Sequence, residues 1–343
     1  MLEKPNLPDE VIIELLGSNY GLKIGALEFL PIGNDQHAYA YRVHADSGDC
    51  FLKLRKGGTR QAALVAPHEL RRMGINQVVA PLLTVSGDLR VAGDQYDLIL
   101  YPYIEGKSAW GMPLSLAQAR QWGEIMRRIH SATLGRAITD AVSREVFGVK
   151  WLSALSKVEA IIAGSDYRGE VAAAMAQVWR DQEAEIELCR QRYIDLGAKL
   201  AAQPPQFLLC HADIHSANII IEAGDSIRIV DWDEAVIAPK ERDLMFFVLD
   251  GHDDDFTEAF FDGYGDDDIN WLAMAYYKYD WVIQEFSDYG ERIFLATELG
   301  EKDLLASLRE FKRLFTAGDV IDRAHQAFAI LQTVSAESSA DIG

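Results

Sequence analysis

The chain has 343 residues, 49% hydrophobic and 25% charged, which excludes a disordered or fibrous protein and allows a sizeable core in two domains, or one domain with a smaller lobe. Lys and Arg number 33 against 53 Asp and Glu, a formal net charge of −20. That balance argues against duplex nucleic acid or an anionic membrane as the main partner, and it suits a cationic small molecule. Cys50, Cys189 and Cys210 are far apart and lack C-x-x-C spacing, so neither a disulfide framework nor a structural zinc site is expected. No basic-then-apolar leader and no apolar run of about 18 residues is found, and a cytoplasmic protein is expected.

There is no internal repeat and no low-complexity tract. Val11, Ile12, Leu15 and Leu16 share one helical face, and that segment stops near Tyr20-Gly21. Short β-like runs follow at 27–32, 38–44 and 50–54, the last two joined by a turn at Asp46-Ser47-Gly48-Asp49. A helix is expected over 59–73, with a break or restart at Pro67, then β-like segments at 77–85, 88–92 and 96–101. Beyond Tyr101-Pro102-Tyr103 the texture turns helical, at 115–130, 170–202, 269–289 and 302–315. Only 207–210, 218–222 and 226–230 read as strands there. The expectation is a β-rich N-terminal lobe over 1–103, including the start of a hinge, and a mostly helical C-terminal lobe over 104–343.

The sharpest motif is His211-Ala212-Asp213-Ile214-His215-Ser216-Ala217-Asn218, followed after a β-like run by Ile229-Val230-Asp231-Trp232-Asp233. Singly, each Asp or Asn reads as a turn residue. Together they let a hairpin present two oxygen ligands, Asn218 and Asp231, to a hard divalent cation, with Asp213 close by to accept a hydroxyl proton. Magnesium takes one or two side-chain oxygens plus phosphates and waters, so two protein ligands suffice.

Phosphate handling then falls to the N-terminal half. Lys53 is basic inside the apolar run Phe51-Leu52-Lys53-Leu54, and Glu69 lies in the following helix, where it is expected to pair with Lys53 across a strand–helix contact. A lysine held by a glutamate against the α/β-phosphates is a recurring kinase device. The plain alternative for Lys53 is an edge-strand lysine facing solvent.

These residues carry a resemblance to the aminoglycoside phosphotransferase and choline kinase superfamily, and within it to the spectinomycin phosphotransferases. It covers most of the chain, from the Lys53 strand through Asp243. Besides the two motifs above, it rests on Asn34 to Tyr39, Ala80-Pro81, Tyr101 to Ile104, and Ala238 to Phe246. The resemblance implies an α+β, protein-kinase-like bilobal fold. It also implies transfer of phosphate from ATP (or GTP), with Mg2+, to a hydroxyl of an aminocyclitol or aminoglycoside antibiotic of the spectinomycin type. By the same resemblance Asp213 is the catalytic base, Asn218 and Asp231 hold magnesium, and Lys53, held by Glu69, binds the nucleotide phosphates. Pro102, Tyr103 and Ile104 form the hinge to the nucleotide base, and Leu100 and Ile229 sandwich the adenine. The phosphate-covering loop contains Gly33 and Asn34 but no G-x-G-x-x-G, so backbone amides would do the cradling. Ala212 stands where the family usually has glycine.

For a cationic acceptor, the nearest candidates are Asp233, Glu234, His215 and Trp232. A second is the stretch 250–268, where nine acidic residues are interleaved with Phe256, Phe260, Phe261 and Tyr264 and no Lys or Arg occurs. His211 reads as a brace for the catalytic loop, and most tryptophans as core. The competing functions are a kinase of a hydroxylated metabolite (choline, homoserine or a methylthio-sugar), a protein kinase, and a nucleotide-binding module without catalysis. The absence of D-F-G and A-P-E equivalents speaks against a protein kinase, and retention of Lys53, Asp213, Asn218 and Asp231 against a non-catalytic module. The sequence gives no reading of the oligomeric state.

Overall fold

The computed structural model describes residues 4–33, 37–296 and 299–340. The chain runs α1 (Asp9–Tyr20), β1 (Ile24–Leu30), β2 (Ala38–Ala45), β3 (Gly48–Lys56), α2 (Gln61–Arg72), β4 (Tyr96–Pro102), β5 (Gly106–Ser108), α3 (Leu116–His130) and α4 (Arg136–Ala141). It continues with α5 (Leu152–Gly164), α6 (Glu170–Asp181), α7 (Glu183–Ala202), β6 (Leu208–Cys210), a 3-10 turn (Ser216–Asn218), β7 (Ile219–Glu222), β8 (Ile227–Ile229) and β9 (Val236–Ala238). The last elements are α8 (Glu241–Leu244), α9 (Asp254–Tyr264), α10 (Trp271–Phe294), α11 (Glu301–Arg313) and α12 (Val320–Ala340). A β-sheet N-terminal region followed by a mostly helical remainder is the α+β, kinase-like architecture expected.

Two compact units emerge, one of residues 1–144, 208–238 and 254–266, the other of 145–207, 239–253 and 267–343. Because they interleave along the chain, they partition it differently from the 1–103 and 104–343 lobes.

In the first unit, β1-β2-β3-β4 form an antiparallel sheet in sequence order. Alternation along β3 sends Cys50, Leu52 and Leu54 to one face, where they meet Leu98 and Leu100 of β4, Tyr41 and Val43 of β2, and Ile12 and Leu16 of α1. Each fully buried leucine there contributes roughly 1.5–3 kcal/mol. Helix α1 ends as its sequence directs, with Gly21 in a left-handed cap (φ 69°) returning its N–H to Gly17. Helix α2 runs unbroken through Pro67, although that ring removes the donor for the Ala63 carbonyl. Burial of Ala62, Ala63, Leu64, Ala66 and Leu70 holds it together.

The runs at 77–85 and 88–92 form no ladder strands and make only isolated bridges, Val78 with Ile229 and Val91 with Leu98. Pro81 and the turn at Ser86-Gly87 interrupt the pairing that their apolar residues suggested. Ser115 caps α3 with a reciprocal capping box to Gln118. Helix α3 lies against α9 at backbone distance. A Cβ on Gly123 would stand 2.0 Å from the Phe260 carbonyl oxygen, and one on Gly263 2.0 Å from that of Arg120.

The second unit is helical. The expected single helix over 170–202 is two, α6 and α7, divided at Gln182. Trp179 of α6 stacks on Phe311 of α11 (5.7 Å, 4°), and Tyr193 of α7 stacks on Tyr276 of α10 (5.3 Å, 15°). Among the described residues, no helix is long and apolar enough to cross a membrane.

Candidate active site

All the site residues described below belong to the first unit. The motif residues converge because β7 and β8 form a tight hairpin, with Ile219 paired to Ile229 and the Val230 N–H donating to the Asn218 carbonyl (3.0 Å). Asn218 and Asp231 therefore flank one end of the hairpin. The loop from His211 to Asn218 folds back onto that end.

His211 is fully buried and ties the two segments together. Its Nδ1 accepts from the Asp213 N–H (3.3 Å), which leaves Nε2–H to donate to the Val230 carbonyl (3.0 Å). Its ring leans on Trp232, centroids 4.6 Å apart. The expected bracing role is what this geometry provides. Ala212, between His211 and Asp213, has φ 67°, in the left-handed region. The family's usual glycine at this position is thus a matter of backbone conformation rather than size.

Asp213 is engaged on both carboxylate oxygens. Asn218 Nδ2 donates to Oδ2 (3.1 Å) and to the Asp213 carbonyl (2.8 Å), and His215 Nε2 lies 3.4 Å from Oδ1. His215 Nδ1 accepts from the Ala217 N–H (3.2 Å), so Nε2 carries a proton that faces Asp213. Burial pushes the Asp213 carboxyl up. The hydrogen bond and charge of His215, then His211 and Asn218, outweigh that effect and hold it below the usual aspartate range. The result is an ionised, oriented acceptor for a proton. Because Asn218 uses its amide nitrogen on Asp213, its Oδ1 is the atom left to face a cation.

Lys53 lies on central strand β3, between Ala40 of β2 and Ile99 of β4, which rules out the edge-strand reading. Its ammonium donates to Asp231 Oδ1 (3.0 Å) and Asp233 Oδ2 (2.9 Å). Desolvation alone would lower it, but these two carboxylates outweigh burial and hold it above the ordinary lysine range. Asp231 has φ 62° and a half-exposed side chain at the hairpin end.

Several expectations need correction. Glu69 pairs with Arg72 one helical turn on (3.0 Å), not with Lys53, whose charge is already matched by the two hairpin carboxylates. Leu100 is opposite Leu52 in the β3–β4 register and shares its face, so it is buried against α1, opposite to Lys53; Ile99 and Tyr101 share the Lys53 face. Asp233 is bound by Lys53 and by Arg55 (3.1 Å), and Arg60 reaches the Asp233 carbonyl (2.9 Å) and Glu234 (3.4 Å). Both carboxylates are therefore part of a charge cluster with β3 and the start of α2, not open anchors for an acceptor. Trp232 is buried under His211 and cannot wall a pocket. Phe256, Phe260 and Tyr264 of the acidic stretch face the core and present no open ring to a cation.

Along the hinge, Pro102 has no N–H, and the Tyr103 N–H donates to the Asp49 carbonyl (3.3 Å). Arg42 lies over the Tyr103 ring at 4.0 Å and pairs with Asp49 and Glu105, which clamps this stretch to β2 and β3. Ile104 is half-buried, and Ile229 is buried with its backbone bonded to Gln77 and Val79. Gly33 has φ 91°, with open space where a Cβ would be, and Asn34 lies outside the described residues.

One residue beside the site was not anticipated. Trp110 is 69% exposed, and its ring meets His215 edge to face at 6.1 Å. Its only signal in the sequence is an aromatic within the turn-rich run Ala109-Trp110-Gly111-Met112-Pro113.

A carboxylate in a braced loop, the side-chain oxygens of Asn218 and Asp231 at one end of a hairpin and a strand lysine beside them make an arrangement of the kind that phosphoryl transfer in the kinase-like class requires. The model of the phosphotransferase enzyme family matches residues 28–277, and the chain belongs to that family; it is an enzyme of the aminoglycoside phosphotransferase type. Among solved structures it is similar to a spectinomycin phosphotransferase crystallised with ADP and spectinomycin, at 27% identity and a TM-score of 0.82, covering 94% of this chain and 99% of that one. An aminoglycoside phosphotransferase from Alicyclobacillus acidocaldarius (15% identity, TM-score 0.61, 96% and 97% covered) shares the fold. So does a choline kinase from Streptococcus pneumoniae (16% identity, TM-score 0.53, 95% and 99% covered). A search of curated protein sequences found no match.

Proposed function

We propose that this enzyme transfers the γ-phosphoryl group of ATP to a hydroxyl of a cationic aminocyclitol of the spectinomycin type. The observation that carries this reading is the Asp213 carboxylate, oriented by His215 and Asn218 on the loop whose hairpin brings Asp231 to Lys53. Similarity to a spectinomycin phosphotransferase over nearly the full length of both chains supports the choice of acceptor.

Asp213 orients the acceptor hydroxyl and takes its proton as the new P–O bond forms and ADP departs with the cleaved bond's electrons. Lys53 turns from Asp231 and Asp233 to the nucleotide phosphates. Asn218 Oδ1 and the Asp231 carboxylate fit a hard cation, since both are oxygens and one carries charge. Bound there, Mg2+ would neutralise the developing phosphate charge. The hinge at Pro102 to Ile104 is assigned to the base of the nucleotide and the loop at Gly33 to its phosphates.

The test is an ADP-release screen of the purified protein with ATP and Mg2+ against aminocyclitols, aminoglycosides, choline, homoserine and methylthio-sugars. The expected result is turnover with spectinomycin, at a kcat/KM well above that for the metabolites. Preference for a metabolite alcohol would replace this acceptor assignment.

A further inference from the structure

Trp110 is an exposed tryptophan whose ring lies against His215, the partner of the proposed base. Strand β5 pairs with β7, Lys107 opposite Ile221, so the segment leading to Trp110 is fixed to the strand that leaves the catalytic loop. The Ala109 N–H donates to the Ile219 carbonyl (2.9 Å), Ser108 Oγ to the Ala217 carbonyl (3.4 Å), and the Trp110 N–H to Ser108 Oγ (3.2 Å). Gly106 lies so close to β7 that a Cβ there would stand 2.5 Å from the Ile221 carbonyl oxygen. The Trp110 backbone is thus anchored to the C-terminal end of the Asp213 to Asn218 segment and to the strand that follows it. Its ring touches His215, whose Nε2 faces Asp213.

An indole left 69% exposed forgoes burial that a core position would give it. Here it supplies a π-face one residue away from the base, in a protein of net charge −20. The carboxylates expected to receive the acceptor, Asp233 and Glu234, are instead bound by Arg55 and Arg60. We infer that Trp110 is the specificity-determining wall of the acceptor site, taking a protonated amine or the C–H face of an alicyclic ring against its indole and presenting the neighbouring hydroxyl to Asp213. Recognition of the cation is then shared between an aromatic face and the Asp213 charge. This inference deepens the kinase reading and rests on it.

The experiment compares wild type with Trp110→Phe, Trp110→Leu and Trp110→Ala. Steady-state kinetics with spectinomycin is paired with calorimetric binding of spectinomycin in the presence of ADP and Mg2+, and of ADP alone. Trp110→Ala should weaken spectinomycin binding and raise its KM about 5–30-fold, with ADP affinity unchanged. Trp110→Phe should retain most of the affinity, and Trp110→Leu should behave like Trp110→Ala, because the effect depends on a π-face. Unchanged binding in Trp110→Ala, or equal behaviour of the Leu and Phe variants, overturns the inference. Turnover with uncharged or anionic alcohols only would leave the kinase reading standing and overturn this one. Failure to form ADP with any alcohol would remove the kinase reading, and the calorimetric comparison would still decide Trp110. Failure of the wild type to bind spectinomycin counts against both.

Discussion

Lys53 Nζ lies 3.0 Å from Asp231 Oδ1, joining the middle of the N-terminal sheet to the end of the β7–β8 hairpin across 178 residues of sequence. The lysine assigned to phosphate and the aspartate assigned to the cation are thus direct neighbours of opposite charge. Lys53→Ala should lower kcat/KM for ATP by about 10²–10³, the range for losing one charge-stabilising donor. Asp231→Ala should be more severe than Asn218→Ala, because only the aspartate contributes charge. Initial rates over a matrix of ATP and Mg2+ concentrations measure this. A Lys53→Ala enzyme with unaltered ATP kinetics would put the phosphates elsewhere.

Asp213→Asn keeps the side-chain shape and removes the proton acceptor. Turnover should fall about 10²–10⁴-fold while ADP affinity stays near wild type. Binding and turnover measured on the same preparation separate this outcome from misfolding. A variant retaining more than about a tenth of wild-type kcat would assign the proton to another group.

What was legible in the sequence, and what was not, divides along physical lines. The grouping of Asp213, Asn218 and Asp231 was legible because a short loop and hairpin hold them, and local spacing fixes their geometry. The bracing by His211 was legible for the same reason. Glu69 failed because its own helix offers a nearer cation three residues on, Arg72, and Leu100 because its placement depends on long-range pairing. The face of Leu100 follows from the register that sets it opposite Leu52. The aromatics of the acidic stretch misled because alternation with carboxylates resembles a cation site, whereas along a helix their spacing of four marks the buried face of α9. Trp110 gave no periodic signal, since it lies in a loop whose position comes from backbone bonds to the catalytic loop and β7.

The α3–α9 crossing permits a stability test. Gly263→Ala would drive a methyl to 2.0 Å from the Arg120 carbonyl oxygen, which belongs to helix backbone and cannot rotate away. The helices must separate, and a loss of about 1–3 kcal/mol or more is expected. Gly164→Ala in α5 is the control, with nothing within 4 Å of the added Cβ, and should be neutral or stabilising by up to about 1 kcal/mol. Denaturant melts of the two variants give the comparison. A Gly263→Ala protein as stable as wild type would mean that α3 and α9 do not approach this closely.

Lys278 provides a test by pH in the second unit. Its side chain is 1% exposed and donates to the Met245 carbonyl (2.7 Å), with the Leu249 carbonyl at 3.4 Å and Asp250 Oδ1 at 3.8 Å. Arg323 also binds Asp250 (2.9 Å), so this carboxylate is shared between two cations. Burial is the main force on the ammonium, only partly offset by Asp250 and reinforced by Arg323, and it brings Lys278 from 10.5 down to about 8. Since the folded value lies below the unfolded one, the unfolded chain binds more protons between about 8 and 10.5. Stability from this group therefore rises with pH through that window and is at its lowest below it. Lys278→Met removes the titration while keeping a long apolar side chain. Raising the pH from 7 to 9.5 should move the stability of wild type relative to Lys278→Met in favour of wild type by about 2 kcal/mol. Thermal melts of both proteins at each pH measure the difference, with Asp250 and Arg323 intact in both. A constant difference across this range, or one that shifts toward Lys278→Met, would show that the lysine is not held in the desolvated site that its contacts describe.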